Sequence, residues 1–259
     1  MKRLLTILVL LFASLLYSQS KFDINNLIDR GGLMYAPNDD EPYTGKVFDF
    51  YENGQKKLDG SYRKGLMNDK WTYYYENGKI RAQGRFINGD GSYPDWIPDE
   101  YRIKYPPYGG RNGKWTGWYE NGQKNDEGTW KDGNPNGKHI IWHENGQKLQ
   151  ELTYKNGKVE GLLTQWYEDG QKLLEGNYKD GKGEGLLTQW YENGGKKQEE
   201  IFKNGELVTR MEWEYYEDGK KKKEKNKFIV KFGNLNSERA AFAKSQSINK
   251  EILSNTSII

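Results

Sequence analysis

A hexapeptide that recurs at a fixed interval constrains the fold of this chain more than any other feature. It reads Tyr-Glu-Asp-Gly-Gln-Lys at residues 167–172, and successive copies start 24, 44, 24, 24, 24 and 25 residues apart. The copies begin at Tyr51, Tyr75, Tyr119, His143, Tyr167, Tyr191 and Tyr216. A fixed period of this length is typical of arrays in which each unit packs on its neighbours. An apolar fraction of 34% beside 30% charged residues suits such a thin array better than a large core.

Each copy has an Asn-Gly or Asp-Gly pair at its centre, which favours a two-residue β-hairpin closed by a type I′ turn. A second turn follows each hairpin, as at Lys179-Asp180-Gly181. The glycines in every unit exclude a helix. We therefore predict an all-β fold, an elongated array of antiparallel β-hairpin repeats of about 24 residues that form a twisted sheet. Type I′ turns are expected at Asn53-Gly54, Asn121-Gly122, Asn145-Gly146, Asp169-Gly170 and Asn193-Gly194.

The predicted turn fixes a register within each unit. With Asp169 and Gly170 as the loop, Tyr167 faces Lys172, which allows a cation–π contact, and Trp166 faces Leu173. Side chains then alternate between two faces. The face expected to pack closely carries Leu163, Tyr167, Lys172, Leu174, Gly176 and Tyr178, and the other carries Thr164, Trp166, Leu173 and Glu175.

A row of tryptophans on the second face is the first candidate for partner binding. It consists of Trp118, Trp142, Trp166 and Trp190, with threonines beside three of them. Equivalent strands two apart lie roughly 9.5 Å from each other, so the four rings would form an extended ladder. Tryptophan is enriched at interaction hot spots, which favours a flat partner surface or a polymer. The alternative is that the rings stabilise one another across the sheet.

The combination of W-Y-E-N-G-Q-K with G-x-Y-K-x-G-K-x-E-G resembles the bacterial variant of the MORN repeat. The stretch from Glu41 to Lys56 also resembles the start of proteins grouped as the YwqK antitoxin family. The resemblance covers residues 33–227 and implies a chain of β-hairpins that acts as a non-catalytic scaffold for protein or lipid contact. For function it implies a binding scaffold with a protein partner or, alternatively, an antitoxin or immunity protein that neutralises a toxin. It carries over no catalytic residue.

The N-terminus predicts export. Residues 1–20 combine Lys2 and Arg3 with a 14-residue apolar run and small residues for cleavage, as in a signal peptide. An uncleaved anchor is the alternative, although the run is short for a membrane span. The chain has no cysteine and so is not a lipoprotein. The mature chain would carry 38 basic and 37 acidic residues, a balance with no general attraction to nucleic acid. We expect a periplasmic or secreted protein.

Three segments depart from the regular array of residues 44–227. Residues 21–43 are predicted to form an N-terminal cap. An aromatic and proline-rich insert near 89–110 either packs on the sheet or binds a partner, with Trp96, Tyr101 and Tyr105 as candidates. Residues 228–259 are predicted to form a last strand and a short helix. Lys220, Lys221, Lys222 and Lys223 either protect an edge strand or contact an anionic surface.

The sequence offers no catalytic or metal-binding constellation. His139 and His143 would lie roughly 13 Å apart along a strand, too far to share one zinc ion. The stretch from Asp132 to Gly137 matches half of an EF-hand loop, but His143 stands where the glutamate ligand belongs. No nucleophile is paired with a base. We therefore expect a protein that is not an enzyme and has no metal or other cofactor.

Overall fold

A computed structural model describes residues 21–93, 106–215 and 221–227 of the chain. Two compact units meet between Gly137 and Lys138. The predicted signal peptide, the middle of the insert and the predicted strand and helix of residues 228–259 lie outside the described residues. The antiparallel β-repeat array is confirmed. One 3-10 turn at Ile24–Asn26 is the helical segment of the described ranges.

The first unit is an antiparallel sheet whose strands follow chain order. Strands β4 to β9 each pair with the next, β1 pairs in parallel with β4, and β2 and β3 form a separate hairpin. The bounds are β1 Phe22–Asp23, β2 Ile28–Arg30, β3 Leu33–Tyr35, β4 Gly45–Phe50, β5 Lys56–Arg63, β6 Leu66–Tyr74, β7 Ile80–Gly89, β8 Arg111–Trp118 and β9 Lys124–Lys131. Strand β10, Asn134–Trp142, carries the chain into the second unit.

The second unit repeats the same plan. Its strands again pair antiparallel in chain order, with the short β12 paired to β11 beside β13. The bounds are β11 Lys148–Lys155, β12 Lys158–Val159, β13 Gly161–Trp166, β14 Lys172–Lys179, β15 Lys182–Trp190, β16 Lys196–Lys203, β17 Glu206–Tyr215 and β18 Lys221–Lys227.

The hairpin turns predicted as type I′ at Asn53-Gly54, Asn121-Gly122, Asn145-Gly146, Asp169-Gly170 and Asn193-Gly194 are not of that type, so this prediction was wrong. The amide of Gly170 donates to the Tyr167 carbonyl at 3.0 Å, and the amide of Tyr167 donates to the Gln171 carbonyl at 2.9 Å. Gly170 has φ +87°, whereas Asp169 is not among the residues with positive φ. This is a type I turn followed by a left-handed glycine. Asp169 favours it because its carboxylate accepts the amide of Gln171 at 2.9 Å.

Type I′ turns close five of the other connections between neighbouring strands, whereas the insert joins β7 to β8. Asp180 and Gly181 have φ +51° and +80°, and they join Lys179 directly to its partner Lys182. Both central residues of such a turn need positive φ, which Asn, Asp and Gly tolerate best. The same pair of positive angles occurs at Lys64-Gly65, Asp132-Gly133, Asn156-Gly157 and Asn204-Gly205.

The true turn shifts the register beside it. Trp166 faces Lys172, not Leu173, because a β-bulge separates this pair from the pairing of Gln165 with Leu174. The bulge moves Lys172 off the face predicted for it. Away from the bulge the predicted alternation of side chains is retained, since Leu163 faces Gly176.

The two faces of the sheet serve different purposes in the first unit. The face that carries Val47, Trp71 and Trp115, here called the core face, alternates these large residues with glycines opposite them. A methyl group at Gly60 would lie 2.2 Å from the ring of Trp71. Each tryptophan therefore lies flat over the glycine of a neighbouring strand, which explains its near-complete burial.

The predicted N-terminal cap covers both the core face and the edge of the sheet. Leu27 and Ala36 are buried against the cluster that contains Val47 and Trp71. The amide of Met34 donates to the Gly65 carbonyl at 3.0 Å, which joins β3 to a type I′ turn. At the edge, the same segment contributes β1, a strand of only two residues that pairs with β4. A short strand of this kind limits further pairing at the edge.

Candidate partner-binding surface

The predicted tryptophan ladder lies on the face opposite the core face, here called the ladder face. Trp166 shares this face with Thr164 and Glu175. Trp118 in the first unit, and Trp142, Trp166 and Trp190 in the second, are all half-buried. In the second unit, Trp166 and Trp190 lie two strands apart, about 9.6 Å at the usual strand spacing. The ladder face thus presents a partly exposed indole in four repeats, whereas Phe50 and Tyr74 occupy the same position in the first two.

In five of the described repeats, the first side chain of the hexapeptide forms a hydrogen bond with the backbone carbonyl of the ladder residue in the next repeat. The hydroxyl of Tyr167 donates to the backbone carbonyl of Trp190 at 2.8 Å, and that of Tyr75 donates to Trp118 at 2.7 Å. His143 takes the tyrosine position in its own repeat, with Nε2 3.1 Å from the Trp166 carbonyl. Sequence reasoning missed this function of the turn tyrosine. The signal was its recurrence in six of the seven copies of the hexapeptide.

The lysine that ends the hexapeptide lies over the tryptophan of the following repeat. Lys172 Nζ is 5.8 Å from the ring centroid of Trp190, and the same ammonium forms an ion pair with Glu175 at 2.5 Å. The predicted contact between Tyr167 and Lys172 was therefore wrong, because the bulge turns the lysine to the ladder face. Lys148 and Lys196 form equivalent contacts with Trp166 and Trp213.

Trp213 is a ladder residue that sequence reasoning missed. Its carbonyl accepts the hydroxyl of Tyr191 at 3.3 Å, and Lys196 lies over its ring. In the preceding repeats the ladder residue directly precedes the first residue of the hexapeptide, as Trp166 precedes Tyr167. Strand β17 is longer than β15 and shifts register against β18, so the residue next to the turn and the residue next to Trp190 differ. The 25-residue spacing of the last copy was the available signal.

Glutamates on the ladder face are held by lysines from two directions. Glu151 pairs with Lys138 and with Lys148, both at 2.6 Å. Hydrogen bonds from Lys138 and Lys148 lower the pKa of the Glu151 carboxyl below its ordinary value. In the first unit, Glu127 pairs with Lys114 at 2.9 Å and Lys124 at 2.7 Å. The ladder face therefore alternates indoles with neutralised ion pairs.

The end of the insert packs on the core face of the first unit. The buried guanidinium of Arg111 donates to the carbonyls of Pro106 and Pro107 at 2.6 and 2.8 Å. It lies 4.1 Å from the ring of Tyr108 and 4.5 Å from that of Trp115. Burial lowers the pKa of this guanidinium. The binding candidates Trp96, Tyr101 and Tyr105 lie outside the described residues.

Some of the remaining candidate residues also lie within the described residues and others do not. Lys221, Lys222 and Lys223 belong to β18, the last strand in the order of the sheet, whereas Lys220 lies outside the described residues. His139 packs against the ring of Tyr154 at 4.9 Å. Across the described ranges, no cluster of three His, Asp or Glu side chains is placed to hold a metal ion. No helix in the same ranges is long and apolar enough to cross a bilayer.

The repeat geometry agrees with a comparison to known families. The family model described as the MORN repeat variant matches residues 43–64, 70–88, 111–132, 135–156, 159–180 and 183–204. The chain is a MORN-repeat protein. Most matched segments run from one strand through the type I turn to the first residue of a type I′ turn, so one MORN repeat is one hairpin of this sheet. MORN repeats are in general non-catalytic modules that mediate binding. A search of curated proteins found no match to the chain.

Proposed function

We propose that this protein is a non-catalytic, exported MORN-repeat scaffold whose ladder face binds a protein partner. The observation that carries the proposal is the difference in packing between the two faces of the sheet. In the first unit, the core face is filled by tryptophan over glycine and by the residues that precede the array. The ladder face carries a half-exposed indole in four of its repeats.

The chemistry of the ladder face in the second unit suits a protein surface. Leu162 and Leu186 occupy equivalent positions in consecutive repeats and are 51% and 40% exposed. They stand on the same face as Trp166 and Trp190, because side chains two residues apart along a strand point the same way. Exposed aliphatic groups beside tryptophans, surrounded by paired charges, resemble the composition of protein interfaces.

Affinity capture with ladder-face variants tests the proposal. The chain is immobilised and offered the exported fraction, and captured proteins are identified by mass spectrometry. Trp142→Ala with Trp166→Ala should weaken recovery of the partner at least tenfold, because interface tryptophans contribute strongly to affinity. Glu168→Ala, at an exposed turn, is the matched control and should leave recovery unchanged. Circular dichroism confirms that each variant is folded. Unchanged recovery by the folded double variant would contradict binding on the ladder face.

Export is tested separately, since it depends on residues 1–20. Intact-mass measurement should find a mature chain that begins near Gln19 or Lys21 outside the cytoplasm. A soluble cytoplasmic protein that retains Met1 would contradict export.

The resemblance of Glu41 to Lys56 to the YwqK family supports a second candidate, an antitoxin or immunity protein. A toxin-like protein encoded by the neighbouring gene, whose toxicity this chain relieves on co-expression, is the expected observation. If the folded chain did not relieve the toxicity, neutralisation of that toxin would be excluded.

A further inference from the structure

The ladder face of the first unit contains a groove of about 540 Å³ whose charge differs from that of the later repeats. Its lining includes Lys21, Lys46 and Lys70, together with Ser61, Thr72 and Tyr74. Phe22 pairs with Val47 in parallel, so Lys21 stands level with Lys46 on the next strand. Lys70 lies two strands further on, about 9.6 Å at the usual spacing. The three lysines therefore form a row across the strands.

Lys46 and Lys70 occupy a repeat position at which later lysines are neutralised. Lys114 and Lys138 are their equivalents in the next two repeats, and each forms an ion pair, with Glu127 at 2.9 Å and Glu151 at 2.6 Å. Residue 83, which stands where those glutamates stand, is Gln in the second repeat. A neutral amide cannot form the ion pair, so the local sequence leaves Lys70 without the partner that Lys114 and Lys138 have.

The two carboxylates in the groove are already engaged. Asp59 replaces glutamate in the first repeat, and it accepts the hydroxyl of Tyr74 at 2.8 Å and pairs with Lys56 at 3.3 Å. Asp69 pairs with Arg85 at 3.2 Å. Within the described residues, no carboxylate forms an ion pair with the ammonium groups of Lys21, Lys46 or Lys70. The groove therefore presents three exposed ammonium groups, while its two carboxylates are paired with Lys56 and Arg85.

We propose that this groove binds an extended acidic peptide segment of the partner protein. The inference rests on the proposed function and assigns the partner's chemistry at one part of the ladder face. A row of ammonium groups on alternate strands matches carboxylates spaced along an extended chain, and charge complementarity of this kind selects partners and speeds association. The later repeats, whose lysines are internally paired, lack this preference.

The test is titration of the full chain with a fluorescein-labelled decaglutamate peptide, followed by fluorescence anisotropy at low ionic strength. Lys46→Gln with Lys70→Gln should weaken binding roughly tenfold, the effect of losing two modest ion pairs. Lys114→Gln with Lys138→Gln removes the same net charge from equivalent but internally paired positions, and it should weaken binding less than threefold. Equal weakening by both double variants would overturn the site, because binding would then follow net charge alone.

Two further arms separate the outcomes. A decaglutamine peptide should not bind. Inorganic phosphate should displace the labelled decaglutamate no better than salt does at the same ionic strength. Displacement at a lower phosphate concentration would show a simple anion site and overturn the peptide assignment. Capture of a partner that is insensitive to Lys46→Gln with Lys70→Gln would overturn this inference and leave the proposed function standing. Lysine-dependent peptide binding without any captured partner would instead refute the proposed function alone.

Discussion

Replacement of Gly84 by alanine should destabilise the first unit through one steric conflict. A methyl group at this position would lie 2.0 Å from the Trp115 ring. The φ angle of Gly84 is not positive, so alanine can adopt the backbone conformation and the conflict is one of space alone. Trp115 is 2% exposed and packs on Phe86 with ring centroids 4.8 Å apart. The ring must retreat by more than an ångström inside a filled core.

The expected cost has two parts. Overpacking a filled core costs about 1–3 kcal/mol. Displacement of the Trp115 ring also weakens the hydrogen bond from its indole nitrogen to the Arg85 carbonyl, 3.1 Å long, at about 1 kcal/mol. We therefore expect Gly84→Ala to lower the free energy of unfolding by about 2–4 kcal/mol.

Gly176 provides a control at the same repeat position in the second unit. A methyl group there would lie 3.1 Å from the side chain of Leu187, which needs to move only by tenths of an ångström. Gly176→Ala should therefore change stability by less than about 1 kcal/mol, since the loss of unfolded-state freedom offsets the tight contact. Urea unfolding followed by circular dichroism and tryptophan fluorescence measures both variants, with each unit fitted separately if two transitions appear.

A second substitution tests the cause directly. Trp115→Leu should lower the free energy of unfolding less in the Gly84→Ala background than in the wild type. The coupling energy in a double-mutant cycle should be at least about 1 kcal/mol. Equal destabilisation by Gly84→Ala and Gly176→Ala, or additive effects in the cycle, would refute the packing of tryptophan over glycine.

Three further predictions concern the hairpins of the second unit. Tyr167→Phe removes the hydrogen bond to the Trp190 carbonyl and should cost about 0.5–1.5 kcal/mol in urea unfolding; no change would contradict the fastening of repeats by this hydroxyl. Gly170→Val should lower the unfolding midpoint more than Gln171→Val, because β-branched residues resist positive φ, and equal midpoints would count against the turn assignment. Glu151 has a lowered pKa when folded, so its contribution is present above the ordinary glutamate pKa and lost as pH falls through the folded value. The fall in stability below about pH 4.5 should be shallower in Glu151→Gln, and an identical pH profile would exclude the contribution.

The period and the alternation of side chains were sufficient to predict the strands and one face of the sheet. Leu163, opposite Gly176, was placed correctly because a hairpin of any turn type keeps alternation away from its loop. The turn type was not predictable from Asn-Gly or Asp-Gly alone. Both a type I′ turn and a type I turn with a left-handed glycine accept these residues, and the bonds of Asp169 and Tyr167 decide between them.

The candidate surface was predictable only in part. Trp166 and Trp190 were identified because they recur beside the turn. Their contacts with Lys148 and Lys172 were missed, since each joins two repeats and depends on the bulge beside the turn. The free lysines of the groove were missed for a similar reason. Lys46 and Lys114 occupy the same repeat position, and their surroundings differ in the residues that lie diagonally opposite on the neighbouring strand.

Site-specific photocrosslinking at two adjacent residues tests most directly whether the ladder face binds the partner. Asn177 is exposed on the ladder face, and Tyr178 follows it on the core face. A photoreactive residue is introduced at one position or the other, and each folded protein is irradiated with the captured partner. Binding through the ladder face predicts a crosslinked complex from position 177 and little or none from position 178. A crosslink from position 178 alone would contradict it.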